Sequence, residues 1–215
     1  GDPPDARTNC AGTSLSKTVV LQNSNTATLK MTSQTAKLSF DAVLLDLDGT
    51  LLDTIPDLAH AANAMRLDLS LPALPQEQIA TFVGKGVDNL IQRTLAADLN
   101  GSAPPQPLFD QGRASFYRHY HQVNGTKSVL FDGVIPGLKA LRDLGLRLAV
   151  VTNKPTEFTL PLLERTGLDG FMQAVVCGDT LPERKPHPAP MLHACALLQS
   201  TPARSLAIEI GRAHV

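Results

Sequence analysis

Two hydrophobic rhythms run along this chain, and the change between them divides it. Ala42 to Leu45 is a short unbroken apolar run, the pattern of a strand buried on both faces in a parallel sheet. It stops at Asp46-Leu47-Asp48-Gly49, because aspartate and glycine disfavour strands and favour turns. From Ile55 the spacing becomes helical: Pro56 stands in the first turn, Leu58, Ala61, Ala62 and Met65 share a face, and Pro72 and Pro75 end the helix. The pattern next predicts a short helix over residues 76–82 and another over 87–99, with Val87, Leu90, Ile91, Thr94 and Leu95 on one side. A loop rich in proline and glycine follows over 100–107, then a helix over 108–123. Residues 56–132 thus read as a helical block with no convincing strand.

After Gly133 the rhythm changes. Helices over 136–145, 155–167 and 188–198 alternate with apolar strands over 147–151, 174–177 and 205–208. Such alternation predicts an α/β fold, a Rossmann-like three-layer parallel sheet covered by helices. Its core is discontinuous, residues 39–55 and 133–208, and residues 56–132 form an inserted helical cap above the C-terminal edge of the sheet.

Composition narrows the function classes. The chain of 215 residues suits one domain with a modest insertion. A formal net charge of -1 points to neither nucleic acid nor a membrane surface. With 4% aromatic residues and no Trp, base-stacking platforms are not expected. The three cysteines, Cys10, Cys177 and Cys195, show no CxxC spacing, which fits a reducing, cytoplasmic compartment. No apolar run approaches the roughly 20 residues of a membrane span.

Both ends depart from this picture. Residues 1–38 are rich in Ser, Thr, Asn and Gln, with no acid between Asp5 and Asp41. A start at Met31 preceded by translated non-coding sequence is preferred over an organellar transit peptide, and either way a disordered leader outside the fold is expected. At the other end, residues 209–215 break the strand pattern of Ser205–Ile208. Their back-translation, GAG ATC GGA AGA GCA CAC GTC, looks like a sequencing adapter, so the segment is expected to be an artefactual tail and the natural chain to continue past Ile208.

Three polar clusters each follow an apolar run: Asp46 with Asp48, Thr152-Asn153-Lys154, and Lys185 within ERKPHP. A parallel sheet brings all three to one edge, where open α/β sheets bind ligands. Paired carboxylates repel unless a cation or a shared proton relieves them. A calcium loop would need a third ligand at the next alternate position, and Thr50-Leu51 departs from that. A hydroxyl, an amide and lysines beside two carboxylates suit a phosphate held against a divalent cation, with one carboxylate free to attack phosphorus.

Read together, DLDGTLLDT, the TNK triplet and the lysine of ERKPHP resemble motifs one, two and three of the haloacid dehalogenase superfamily, and the helical insertion resembles its cap subfamily. DTIPDLAHAAN, FVGKGVDNLI, VTNKP and KPHPAPML resemble the bacterial phosphoglycolate phosphatases within that group. The resemblance implies a Mg²⁺-dependent phosphatase that hydrolyses a small phosphorylated metabolite, 2-phosphoglycolate first among them, through an aspartyl-phosphate. Alternatives are another small-substrate hydrolase of the superfamily (a sugar-phosphate phosphatase, a pyrophosphatase or a phosphosugar mutase) or an inactive phosphate- or partner-binding fragment.

Residue by residue, the resemblance implies that Asp46 is the nucleophile and a metal ligand. Asp48 is the acid and base and gives its backbone carbonyl to the metal. Thr152 and Asn153, with Gly49, bind the phosphoryl group, and Lys185 neutralises its charge. Gly84, Lys85 and Gly86 are expected to meet the substrate from the cap. The family's fourth motif, an acidic run that completes the metal site, has no counterpart: no aspartate follows Asp179, and Glu209 is the nearest acid. Weak metal binding and slow turnover are therefore expected of the chain as written.

Overall fold

A computed structural model describes residues 39–209; the expected leader lies outside the described residues, as does all but Glu209 of the expected tail. Four strands form the main sheet: β1 (Ala42–Leu45), β4 (Arg147–Val151), β5 (Ala174–Val176) and β6 (Ser205–Ile208). Their order is β5-β4-β1-β6 and every pairing is parallel, with Ala42 opposite both Arg147 and Ser205. The chain crosses from β5 back over the sheet to reach β6. The order therefore reverses beside β1, and the carboxyl ends at that switch point are where such sheets open a crevice.

Alternation along β1 explains the three layers. Val43 and Leu45 pack with Leu148 and Val150 against Leu138, Leu162 and Leu163, contributed by helices α5 (Val134–Asp143) and α6 (Thr156–Thr166). Ala42 and Leu44 face the other way, with Ala149, Val151 and Val176, onto Ala194 and Cys195 of α7 (Ala189–Leu197). A strand buried on both faces needs apolar residues at every position, and β1 is fully buried.

The inserted block is built from α1 (Ile55–Asp68), α2 (Gln76–Ala80), α3 (Val87–Ala96) and α4 (Gln106–Val123). Its own apolar cluster gathers Leu58, Met65, Phe82, Ile91, Phe116 and Tyr120, and Phe158 of α6 inserts into it from the sheet side. Three features differ from the sequence pattern. Helix α3 stops at Ala96 because Ala97 turns left-handed (φ +56°). Helix α4 begins earlier than expected, following Pro105. A two-stranded antiparallel ribbon, β2 (Leu52–Asp53) with β3 (Val129–Leu130), stands where no strand was expected, because two residues per strand are too few to show a period of two.

That ribbon joins the two connections between block and sheet, and Asp57 fastens them. Its carboxylate, fully buried in the first turn of α1, accepts five hydrogen bonds from the returning chain. The donors are the Gly125, Lys127 and Ser128 amides at 3.0, 2.9 and 2.9 Å, and the Thr126 and Ser128 hydroxyls at 3.0 and 2.6 Å. The helix N-terminus favours the same negative charge. Farther along the block, Asp68 ends α1 and accepts from Ser115, Arg118 and His119 of α4.

Two outcomes follow from these anchors. Asp57→Ala lowers the free energy of unfolding by about 3–5 kcal/mol, because three amides and two hydroxyls lose their acceptor; urea titration followed by circular dichroism measures it. At Asp68, the Ser115 hydroxyl and then His119 hold the carboxyl below its usual range. A depressed carboxyl stabilises the fold above its unfolded value of about 3.9 and loses that contribution as pH falls through the folded value. The melting temperature should accordingly fall below about pH 4, and fall less in Asp68→Asn.

Candidate active site

The site begins where β1 ends. The Asp46 amide still bonds to the Ile208 carbonyl of β6 at 3.0 Å, so the strand ladder fixes its backbone. The chain then folds sharply: the Thr50, Leu51 and Leu52 amides all donate to the Leu47 carbonyl, and the Gly49 amide donates to Leu52 at 2.8 Å. Gly49 sits at φ +84°, a conformation glycine adopts without the strain a side chain would bring.

Each aspartate meets its own lysine. Lys185 Nζ lies 2.7 Å from Asp46 Oδ1. Lys154 Nζ lies 2.7 Å from Asp48 Oδ1, which also accepts the Thr54 hydroxyl at 2.6 Å. Both lysine side chains are nearly buried, at 9% and 2% exposure. Burial pushes the Asp46 carboxyl above the usual carboxylate range, and Lys185 offsets only part of that rise. Burial alone would lower the Lys154 pKa, yet the Asp48 carboxylate and the Tyr120 hydroxyl together more than offset it and hold the ammonium above its usual value. The Tyr120 ring of α4 lies 5.1 Å from the same ammonium, and burial pushes its hydroxyl pKa up to about 12.

Thr152 and Asn153 follow β4 and are both buried. The Thr152 amide continues the ladder to Val176 at 2.9 Å, and its hydroxyl accepts the Lys154 amide at 3.1 Å. That leaves the hydroxyl proton available to donate. The Asn153 side chain acts as a strut. Its Nδ2 donates to the Lys185 carbonyl at 3.0 Å and to Gly84 of the block at 3.2 Å, while its Oδ1 accepts the Lys185 amide at 2.9 Å. It thereby fixes the backbone that carries Lys185.

These groups line one cavity of about 50 Å³, roofed by Ile55, Leu58, Val83, Val87 and Leu90 of the block. Of the cap residues singled out in the sequence, Gly84 and Gly86 line it, whereas Lys85 is exposed and is not in the lining. Sequence reasoning placed Lys154 in a phosphate-binding triplet without giving it a partner, and it passed over Thr54. Neither the distance to Asp48 nor the fold that closes it can be read from spacing alone.

Among the described residues, no group of three or more His, Cys, Asp or Glu side chains converges. Glu209 lines the cavity, its carboxylate 3.7 Å from Lys185 Nζ. Asp46 and Asp48 nevertheless offer hard oxygen donors to one space, and Mg²⁺ is commonly held by one or two carboxylates with water and substrate phosphate oxygens. The raised Asp46 pKa marks a carboxylate whose charge a cation would further offset. The donors present fit Mg²⁺ on both counts.

Close approach behind the site gives a direct test of this packing. A Cβ added at Gly178 would lie 2.1 Å from the Asn153 carbonyl oxygen, a backbone atom that cannot swing aside. Gly178→Ala is expected to cost about 1–3 kcal/mol of stability, read from the shift of the urea midpoint, and to displace the Asn153 strut.

Comparison with known proteins agrees with this geometry. The chain matches the haloacid dehalogenase-like hydrolase family over residues 43–209. It is 46% identical over 171 residues to a phosphoglycolate phosphatase of Thiobacillus denitrificans, a match covering 80% of this chain and 75% of that protein. To the plasmid phosphoglycolate phosphatase of Cupriavidus necator it is 44% identical over 174 residues, 81% and 74% of the two chains. The crystal structure of a predicted phosphoglycolate phosphatase from Haemophilus somnus superposes with a TM-score of 0.72 at 34% identity, covering 79% of this chain and 76% of that one. The fold is thus shared with a solved structure at 34% identity, and the chain belongs to the haloacid dehalogenase-like hydrolases.

Proposed function

We propose that this protein is a Mg²⁺-dependent phosphatase that hydrolyses 2-phosphoglycolate to glycolate and phosphate through an aspartyl-phosphate on Asp46. The observation that carries the reading is the asymmetric pairing at the strand end. Among the described residues, Asp46 Oδ1 accepts from Lys185 Nζ at 2.7 Å and Oδ2 from the Thr50 hydroxyl at a long 3.4 Å, with the Leu47 amide also drawn to the carboxylate. Asp48 is fixed by two donors on one oxygen. Equivalent residue types in unequal surroundings divide into nucleophile and acid–base.

In this reading the Asp46 carboxylate bonds to phosphorus as the bridging P–O bond breaks, and Asp48 gives a proton to the departing glycolate oxygen. Asp48, now ionised, takes a proton from water as the water oxygen bonds to phosphorus. The Asp46–phosphorus bond breaks, phosphate leaves and both aspartates return to their starting states. Lys185 and the Thr152 hydroxyl stabilise the phosphoryl oxygens, and Asn153 contributes by holding Lys185 in place. Gly49 and the residue 84–86 loop border the substrate, with Lys85 reaching it only by turning inward from its exposed position. Mg²⁺, held by the Asp46 carboxylate and the Asp48 backbone carbonyl, would supply further charge neutralisation.

Substrate size is supported by the cavity, a space of about 50 Å³ roofed by apolar residues of the block over the charged strand ends, which suits a small phosphomonoester. The relatives at 46% and 44% identity are named for the same substrate. Cys177 and Cys195 are buried free thiols, which supports a reducing, cytoplasmic setting. Among the described residues no helix is long and apolar enough to cross a membrane.

Phosphate release from 2-phosphoglycolate, measured with and without Mg²⁺, tests the reading. Release should require the metal, cease with chelator and fall at least about 10³-fold in Asp46→Asn. If the protein releases no phosphate from 2-phosphoglycolate or from a panel of small phosphomonoesters, the reading fails.

A further inference from the structure

The acid–base aspartate is held from one side only, and the groups that hold it belong to different parts of the fold. Lys154 Nζ and the Thr54 hydroxyl both donate to Asp48 Oδ1, at 2.7 and 2.6 Å. Among the described residues Oδ2 of the same carboxylate makes no hydrogen bond. Two donors on one oxygen fix the plane of the carboxyl and leave the other oxygen without a donor among the described residues.

A lysine side chain is usually mobile, and this one is confined at every level. Its side chain is 2% exposed and its ammonium lies against the Tyr120 ring. Its amide donates to the Thr152 hydroxyl, and its carbonyl accepts the Gly178 amide at 2.9 Å and the Thr159 hydroxyl at 3.2 Å. Tyr120 sits on α4 of the inserted block and Thr54 immediately precedes α1. The Tyr120 ring lies 5.1 Å from the ammonium, and its fully buried hydroxyl interacts with the same charge.

We propose that Lys154 and Thr54 are positioning residues that occupy Asp48 Oδ1 and reserve Oδ2 for proton transfer, with Tyr120 of the block securing the lysine. This rests on the phosphatase reading above. The proton on Oδ2 passes to the bridging oxygen as the P–O bond breaks, so the leaving group departs as an alcohol and Asp48 becomes a carboxylate. The arrangement makes the orientation of the proton donor depend on the block, since Tyr120 stands on α4 and Thr54 immediately precedes α1.

The experiment separates proton donation from general damage. Formation of the phosphoenzyme is followed in a first turnover by rapid quench with Mg²⁺ present, using two substrates. 2-Phosphoglycolate releases an alkoxide that needs a proton, whereas p-nitrophenyl phosphate releases a phenolate that does not. In Lys154→Met the rate with 2-phosphoglycolate should fall about 10²-fold, within the range that acid catalysis contributes, while the aryl substrate stays within about five-fold of wild type. Thr54→Val should show the same selectivity to a smaller degree, and it carries the test alone if Lys154→Met does not fold cooperatively. Tyr120→Leu removes the ring and should show the same selectivity to a smaller degree than Lys154→Met. Equal losses on the two substrates, or no loss on either, would overturn the proposal alone. Wild-type protein that forms no phosphoenzyme from either substrate would remove the phosphatase reading and the proposal with it.

Discussion

Two carboxylates separated by one residue at the end of a buried strand repel each other, and this protein relieves them with one lysine apiece. Much of the local architecture answers to that constraint. Lys185 must arrive from beyond β5, Lys154 from the end of β4, and both ammonium groups must be nearly buried to act at short range. A parallel sheet supplies this because the carboxyl ends of β1, β4 and β5 lie side by side. The two ion pairs are costly to bury. The apolar layers on either face of the sheet make the site possible by fixing the strand ends that carry it.

The pairs differ in how they are supported. Asp46 keeps an oxygen with a long contact to Thr50, and burial raises its pKa despite Lys185. A carboxylate that is incompletely compensated can still gain from a cation drawn to it. Asp48 is held by Lys154 and Thr54 on one oxygen, within a buried cluster that extends to Tyr120. Asn153 adds a layer behind the first pair, fixing the Lys185 backbone through its amide and carbonyl. Rigidity therefore surrounds the charges, and in each carboxylate the two oxygens are unequally held.

Much of this was legible in the sequence. The apolar run before Asp46, the helical spacing of Leu58, Ala61, Ala62 and Met65, and the alternation after Gly133 each follow from one dominant periodicity, so strands, helices and their order could be read. The polar residues at the strand ends were legible because they interrupt those runs. What escaped notice depends on contacts between distant segments. The β2–β3 ribbon is too short to carry a pattern, and Asp57 resembles any acid in the first turn of a helix. Lys154 was visible as a lysine, but its partner lies 106 residues away. Asn153 shows the same limit: its position suggested a phosphate ligand, while its side chain is engaged with the Lys185 backbone and Gly84.

The contacts that tie the inserted block to the sheet are unequal, and their distribution matters for access to the cavity. At the connecting end, Asp57 gathers five hydrogen bonds in a fully buried setting beside the ribbon. Across the mouth, the Gly84 carbonyl meets Asn153 through a single 3.2 Å bond on a loop flanked by two glycines at positive φ. Hydrogen bonds to a buried charge are worth more than a neutral one, about 1.5–3 against 0.5–1.5 kcal/mol each. Separation of the block from the sheet thus costs least at the residue 84–86 loop and most at Asp57. The cavity of about 50 Å³ lies between them, bordered by Gly84 and Gly86 of that loop.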